Sequence, residues 1–414
     1  MRLRYIAVWM FVLAGAVAMA DAKDEDHVAD AEVRAAIQRS LPVLETDGVA
    51  WMTQKNCASC HHVPFLIWSH NAAREHRIAV DETKLEQWIA WTAKFSQSRR
   101  AWFKLSKQSL DGKASGDVDD TTRVPAEVLN KLAPLVDRPF ASEGELVAEM
   151  ERLLTRQELA QHRKSLLIRA SRPLEPDNDG GGLDTLSQLL LGRGRQVADA
   201  SDAAAQKARA VDWRDVMLRW QQRDGSWKAA GQLPAQNRPA AETHAVSTMW
   251  AMLALAGTNH PDKPTQSAIA RAAEFLQTKD ADASKHVSGE SLLLRLLVAH
   301  ELANPDRADA LVKEVLAHQN ADGGWAWRQS GPSDAFATGQ ALYALRRAGV
   351  AADRPPLARA CDYLVRTQAS AGWWTVPSRA ISSATNDGRL KRLEPIYRYW
   401  GTAWAVIGLS DTLR

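Results

Sequence analysis

The chain has 414 residues, 45% hydrophobic and 24% charged, with a formal net charge of +3. That is an ordinary globular composition, long enough for one large domain or two ordinary ones. The near balance of charge gives no basic field for nucleic acid, and the three cysteines (Cys57, Cys60 and Cys361) do not make a disulfide scaffold.

In chain order, Arg2 and Arg4 precede an apolar run from Tyr5 to Ala20 that ends in Ala18-Met19-Ala20. This pattern predicts an export signal over 1–20, cleaved after Ala20, and a periplasmic or secreted mature chain. No later segment is long and apolar enough to span a bilayer. Helical periodicity follows over Val28 to Ser40, Thr83 to Phe103, Ala141 to Ala170 and Asp199 to Gln222. Asp111 to Pro125 and Pro173 to Gly182 are polar, Gly- or Pro-rich breaks, and Leu183 to Leu191 is a short helix closed by Gly192. No run of alternating β-branched residues is present, so the expected class is all-α. The expected division is a helical N-terminal segment over 21–135 and a repeat domain over 136–414, clearest from 183.

Cys57-Ala-Ser-Cys60-His61 is the strongest chemical signal. C-x-x-C-H is the attachment pattern of a c-type haem: two thiols on one helical turn reach the porphyrin vinyl groups, and the next imidazole ligates iron. Export agrees with it, because haem c is attached outside the cytoplasm. His70, His76 or Met52 would supply a second axial ligand, or the iron would be five-coordinate. Two other readings stay open: a zinc site from Cys57 and Cys60 with His70 and His76 or with His61 and His62, and a disulfide pair. Trp51, Phe65, Leu66, Ile67 and Trp68 either cover a macrocycle or form ordinary core.

The C-terminal half repeats itself. Gln221 to Trp227, Gln319 to Trp325 and Gln368 to Trp374 all read Q-x-x-x-G-x-W. Apolar runs opening with a small hydroxyl residue lie at Thr248 to Leu255, Ser291 to Val298, Thr338 to Leu345 and Thr402 to Leu409. Repeats at such spacing are stacked supersecondary units. The apolar runs are helices buried all round, their partners are amphipathic, and the architecture they imply is an α/α toroid. Asn386 to Glu394 reads as an insertion in the last repeat.

These turns and inner helices, with Gln319-Asn-Ala-Asp-Gly-Gly-Trp325 followed by Ser333 to Gly339 as the best match, resemble the squalene–hopene cyclase and prenyltransferase α/α-toroid group. The resemblance covers Leu183 to the C-terminus and implies an all-α toroid of helical-hairpin repeats. For activity it implies an isomerase acting on a polyprenyl lipid, with Asp119, flanked by Asp117 and Asp120, as the proton donor. The residues themselves also allow a solvated acidic loop, because Arg123-Val124-Pro125 follows where the family has an apolar helix. At the matching inner-helix positions stand His244, Asp334 and Arg398, with no acid at the third place. A prenyltransferase zinc site would need a toroid cysteine, and Cys361 reads as core. Trp250, Phe336, Tyr343, Trp400 and Trp404 either line an apolar cavity or fill the ring.

The expected function is an exported haem-bearing toroid for electron transfer or haem-based ligand binding. The alternatives are the cyclase-like isomerase and a binding scaffold stapled by zinc or a disulfide. The expected partners are a redox protein or an apolar, lipid-like ligand.

Overall fold

The computed structural model describes residues 28–55, 62–98, 105, 124–136, 138, 140, 143–170, 182–193, 213–229, 238–258, 261–279, 287–328, 330–377 and 387–413. Within them the elements are α1 (Asp30–Lys55), α2 (Val63–Glu75), α3 (Glu82–Ser98), α4 (Ala126–Lys131), α5 (Glu143–Leu153) and α6 (Arg156–Ala170). Next come α7 (Leu183–Gly192), α8 (213–220), α9 (Ala240–Ala256), α10 (Lys263–Lys279) and α11 (Gly289–Glu301). The last four are α12 (Pro305–Ala317), α13 (Ala335–Arg347), α14 (Pro355–Thr367) and α15 (Asp387–Thr412). Among the described residues there is no strand, only isolated bridges.

The fold is an all-α toroid. Among the described residues, six helices close an inner ring in the order α2, α7, α9, α11, α13, α15 and back to α2. Helices α1, α3, α10, α12 and α14 pack outside it. The division of labour follows from composition. In α9 every residue from Ala245 to Leu255 is buried, whereas α14 buries one stripe: Leu357, Ala360, Cys361, Tyr363 and Leu364.

The repeated turns carry one hydrogen-bond scheme. Each Trp indole N–H reaches a carbonyl of the preceding outer helix: Trp227 to Met217, Trp325 to Val315 and Trp374 to Leu364, at 2.7–2.8 Å. Each Trp backbone N–H donates to the hydroxyl that opens the apolar run within the next inner helix, on Thr248, Thr338 and Thr402. Each Gln side chain donates to its turn glycine and to the next outer helix, at Ala268, Pro356 and Ala36. An arginine of that next helix donates back to the Gln carbonyl: Arg271, Arg359 and Arg39. The third member of each set lies on α1. Gln368 therefore clasps the first helix, and the clasp closes the ring.

This corrects the expected division of the chain. Helices α1 to α3 share one core with residues 183–413, so they are part of the toroid and not a segment beside it. The separate unit is an insertion between α3 and α7. Leu105, Val128, Phe140, Leu146, Met150 and Leu166 are among the residues of its own small core. The expected helix over 141–170 is two helices, α5 and α6. The Thr155 N–H donates to the Glu158 carboxylate and the Glu158 N–H to the Thr155 hydroxyl, a capping box that starts α6. The residues read as an insertion at 386–394 begin at 387 as the first turns of a lengthened α15.

Candidate functional site

The inner helices run parallel, so the toroid has an end where they start, an end where they finish, and an axis between.

At the starting end, the connection from α1 to α2 is 56–62. Cys57, Cys60 and His61 lie outside the described residues, but their flanks are well placed. Met52 is buried one turn before the end of α1. His62 is the N-cap residue of α2 and is buried, with its ring stacked on Trp51 at 4.4 Å and 5° and against Tyr399 at 4.4 Å. Tyr399 donates to the Leu44 carbonyl, and burial holds its phenol well above the usual range.

His70 and His76 stand farther along α2 than its N-cap His62. At 1.5 Å per residue, they lie about 10 and about 20 Å along α2 from its first residue. The His70 ring is buried, bonded to the Leu66 carbonyl at 2.8 Å and packed edge-on against Trp88 of α3. Burial lowers its pKa from 6.5 to about 4, the bond to Leu66 opposing this in part. His76 lies at the other end of the toroid, 3.5 Å from Asp411. His70 and His76 therefore stand about 9 Å apart along the helix axis and face different neighbours. Among the described residues no group of three or more His, Cys, Asp or Glu could hold a metal.

On the axis, the aromatic residues form a plug. Trp404, 1% exposed, contacts Phe65, Trp68, Trp250, Phe336 and Tyr343, with ring centroids 5.1–6.2 Å apart. Trp400 packs on Phe336 and Phe65. Phe65 and Trp68 thus belong to the ring's core, and most of the aromatics fill the ring.

A buried polar cluster borders the plug near the start of α11. The Glu290 carboxylate accepts from Arg238 at 2.7 Å, from the Trp250 indole at 3.1 Å and from Gln340 at 3.3 Å. Asp334 caps α13 by accepting from the Ala337 N–H at 2.8 Å. Asp117, Asp119 and Asp120 lie outside the described residues. Leu105 and Val124, which bracket them, both belong to the insertion's core. Cys361 is a buried thiol beside the Thr412 hydroxyl at 3.6 Å, pushed up to about 11 by burial.

At the finishing end the plug stops short, leaving a cavity of about 580 Å³. Trp68, Trp250 and Tyr343 form its aromatic floor, with Leu253, Leu297 and Ile407 beside them. Its rim is polar: Glu75, His76, His300 and Glu301 on α2 and α11, and Arg346, Arg347 and Asp411 on α13 and α15. Reading the inner helices as uniformly apolar missed these rim residues. Their signal is present in the sequence, because each stands in or just after the last turn of an otherwise apolar helix.

Among the described residues no helix is long and apolar enough to cross a membrane. A comparison with curated proteins found no match. Residues 279–371, which span α11 to α14 and the Gln319 to Trp325 turn, match the family described as squalene-hopene cyclase N-terminal domain. The match and the helical ring together support a toroid of the squalene–hopene cyclase and prenyltransferase type.

Proposed function

We propose that this chain is an exported, haem-bearing toroid, with Cys57 and Cys60 holding the group covalently, His61 ligating its iron and a redox protein as partner. One observation carries the reading. Where three other hairpins pass from outer to inner helix through Q-x-x-x-G-x-W, the first hairpin passes through Cys57-Ala-Ser-Cys60-His61. Two thiols and an imidazole at this spacing are the donor set that a covalent haem needs. Met52, buried near the end of α1, is a thioether close in sequence to this turn. The bound group would supply a one-electron couple at iron. The chain's own part is to anchor it, to offer a second ligand from Met52 and to exclude water with apolar neighbours. The visible spectrum and intact mass test this, after export in a host that matures c-type haem. A Soret band that survives denaturation, with the mass of one haem, is expected. A colourless protein of apo mass, beside a matured control cytochrome, rules the reading out.

The family match favours a second reading, an isomerase acting on a polyprenyl lipid. That chemistry needs an acid able to give a proton to an apolar substrate. Glu290 accepts hydrogen bonds from Arg238, Trp250 and Gln340. Asp334 is used as a cap. Asp119 is the remaining acid that the resemblance nominates. Cyclisation of squalene by the purified chain, abolished in Asp119→Asn, would establish this reading in place of the first.

A further inference from the structure

Neither reading above uses the cavity at the finishing end of the inner helices. Its unmet chemistry is an acceptor's. Asn71 is 1% exposed, lines the cavity and spends its amide N–H on the Gly192 carbonyl at 2.7 Å. Its carbonyl oxygen is buried and has no hydrogen-bond partner among the described residues. A buried acceptor left unmet is unfavourable, so the wall it lies behind favours an N–H donor over a second acceptor.

The rim adds acceptors of the same sign. Glu75, Glu301 and Asp411 stand there, the last already paired with Arg347 at 3.3 Å and His76 at 3.5 Å. Both rim guanidiniums are engaged within the protein. Arg346 donates to the carbonyls of Asp411 and Val350 at 2.7 and 2.5 Å, and Arg347 Nε lies 3.3 Å from the Asp411 carboxylate. The last turns of the inner helices also converge on this mouth, and helix C-termini each carry about half a negative charge. Below them, Trp68 meets Trp250 and Tyr343 edge-on, at 6.3 and 5.6 Å with 85° between planes. Aromatic rings hold a cation or an apolar body well, and the volume lies in the range of small-molecule sites.

From this geometry we infer that the finishing-end cavity is a binding site for a protonated organic amine: an N–H-bearing ammonium at the rim and a flat apolar body on the aromatic floor. An anion of the same shape would meet Glu75, Glu301 and the converging helix carbonyls.

Titration calorimetry at neutral pH with three probes sharing one body tests this: 2-naphthylmethylammonium, 2-naphthylmethanol and 2-naphthoate. The ammonium is expected to bind, the alcohol about tenfold or more weaker, and the carboxylate not at all. Glu301→Gln, at an exposed rim position, should weaken the ammonium several-fold and leave the alcohol unchanged. Equal binding of the three probes, tighter binding of the carboxylate, or no ammonium binding at millimolar concentration by protein of unchanged melting temperature would overturn the inference. None of these outcomes depends on whether haem is attached.

Discussion

Gly372 shows how much one residue in this fold is asked to do. It sits at φ +91, in the left-handed region, and a Cβ there would lie 2.2 Å from the Arg39 carbonyl oxygen of α1. Gly225 and Gly323 repeat the arrangement against Arg271 and Arg359. The Gly of Q-x-x-x-G-x-W is therefore required by its turn and by the approach of the next outer helix. Gly372→Ala should destabilise the protein by roughly 2–4 kcal/mol, read as a lowered denaturation midpoint, since it combines backbone strain with a clash against main chain. His70 makes a pH prediction. Its folded pKa of about 4 lies below the unfolded 6.5, so the unfolded chain binds the extra proton. The stability it allows is complete above pH 6.5 and is lost as pH falls toward 4. The loss is up to about 3 kcal/mol at 1.36 kcal/mol per unit. His70→Gln should flatten that limb of the stability curve; an unchanged slope would mean the imidazole is not held neutral.

At the scale of elements, the hairpins were legible because their turns carry rare, oriented residues. Gln, Gly, Trp and Thr each have a fixed hydrogen-bond duty, so the pattern survives in sequence. The opposite turns were not legible, because their chemistry lies in the backbone. After α2, α11 and α13 the chain closes in the same way: Ile78 N–H to Ala73, Asn304 N–H to Ala299 and Val350 N–H to Leu345, each at 3.0 Å. The residue before each donor has positive φ: Arg77 at 60, Ala303 at 51 and Gly349 at 85. Only the last advertises itself as glycine. Ala303→Gly should raise stability by about 1 kcal/mol by relieving the left-handed strain, measurable as a higher melting temperature. Helix α15 illustrates a different limit. Its extra residues looked inserted when counted from the repeat spacing, yet a helix lengthens by whole turns without disturbing the hairpin it belongs to. The rim of the finishing-end cavity stayed hidden for a related reason. Polar residues at helix ends ordinarily cap or face solvent, and only the ring brings their last turns around one space.

At the scale of the molecule, ring closure was the least legible feature. Arg39 is the counterpart of Arg271 and Arg359, but no repeat signature surrounds it on α1, and its partner Gln368 is 329 positions away. The insertion further obscured that α1 to α3 belong to the same ring as the repeats. The two ends of the described chain also meet. The Val28 N–H donates to Asp362 at 2.7 Å, while the Thr412 hydroxyl meets Cys361, the neighbouring residue of α14. A ring whose first and last hairpins dock on one helix has no privileged place to begin. The order of hairpins around the circle matters, and the point at which the polypeptide is cut matters far less. A circular permutant joined across residues 413 and 28 and reopened between α9 and α10 should therefore keep the helical circular dichroism of the parent and melt within a few degrees of it. Loss of cooperative melting would show that the clasp between Gln368 and α1 needs the native termini.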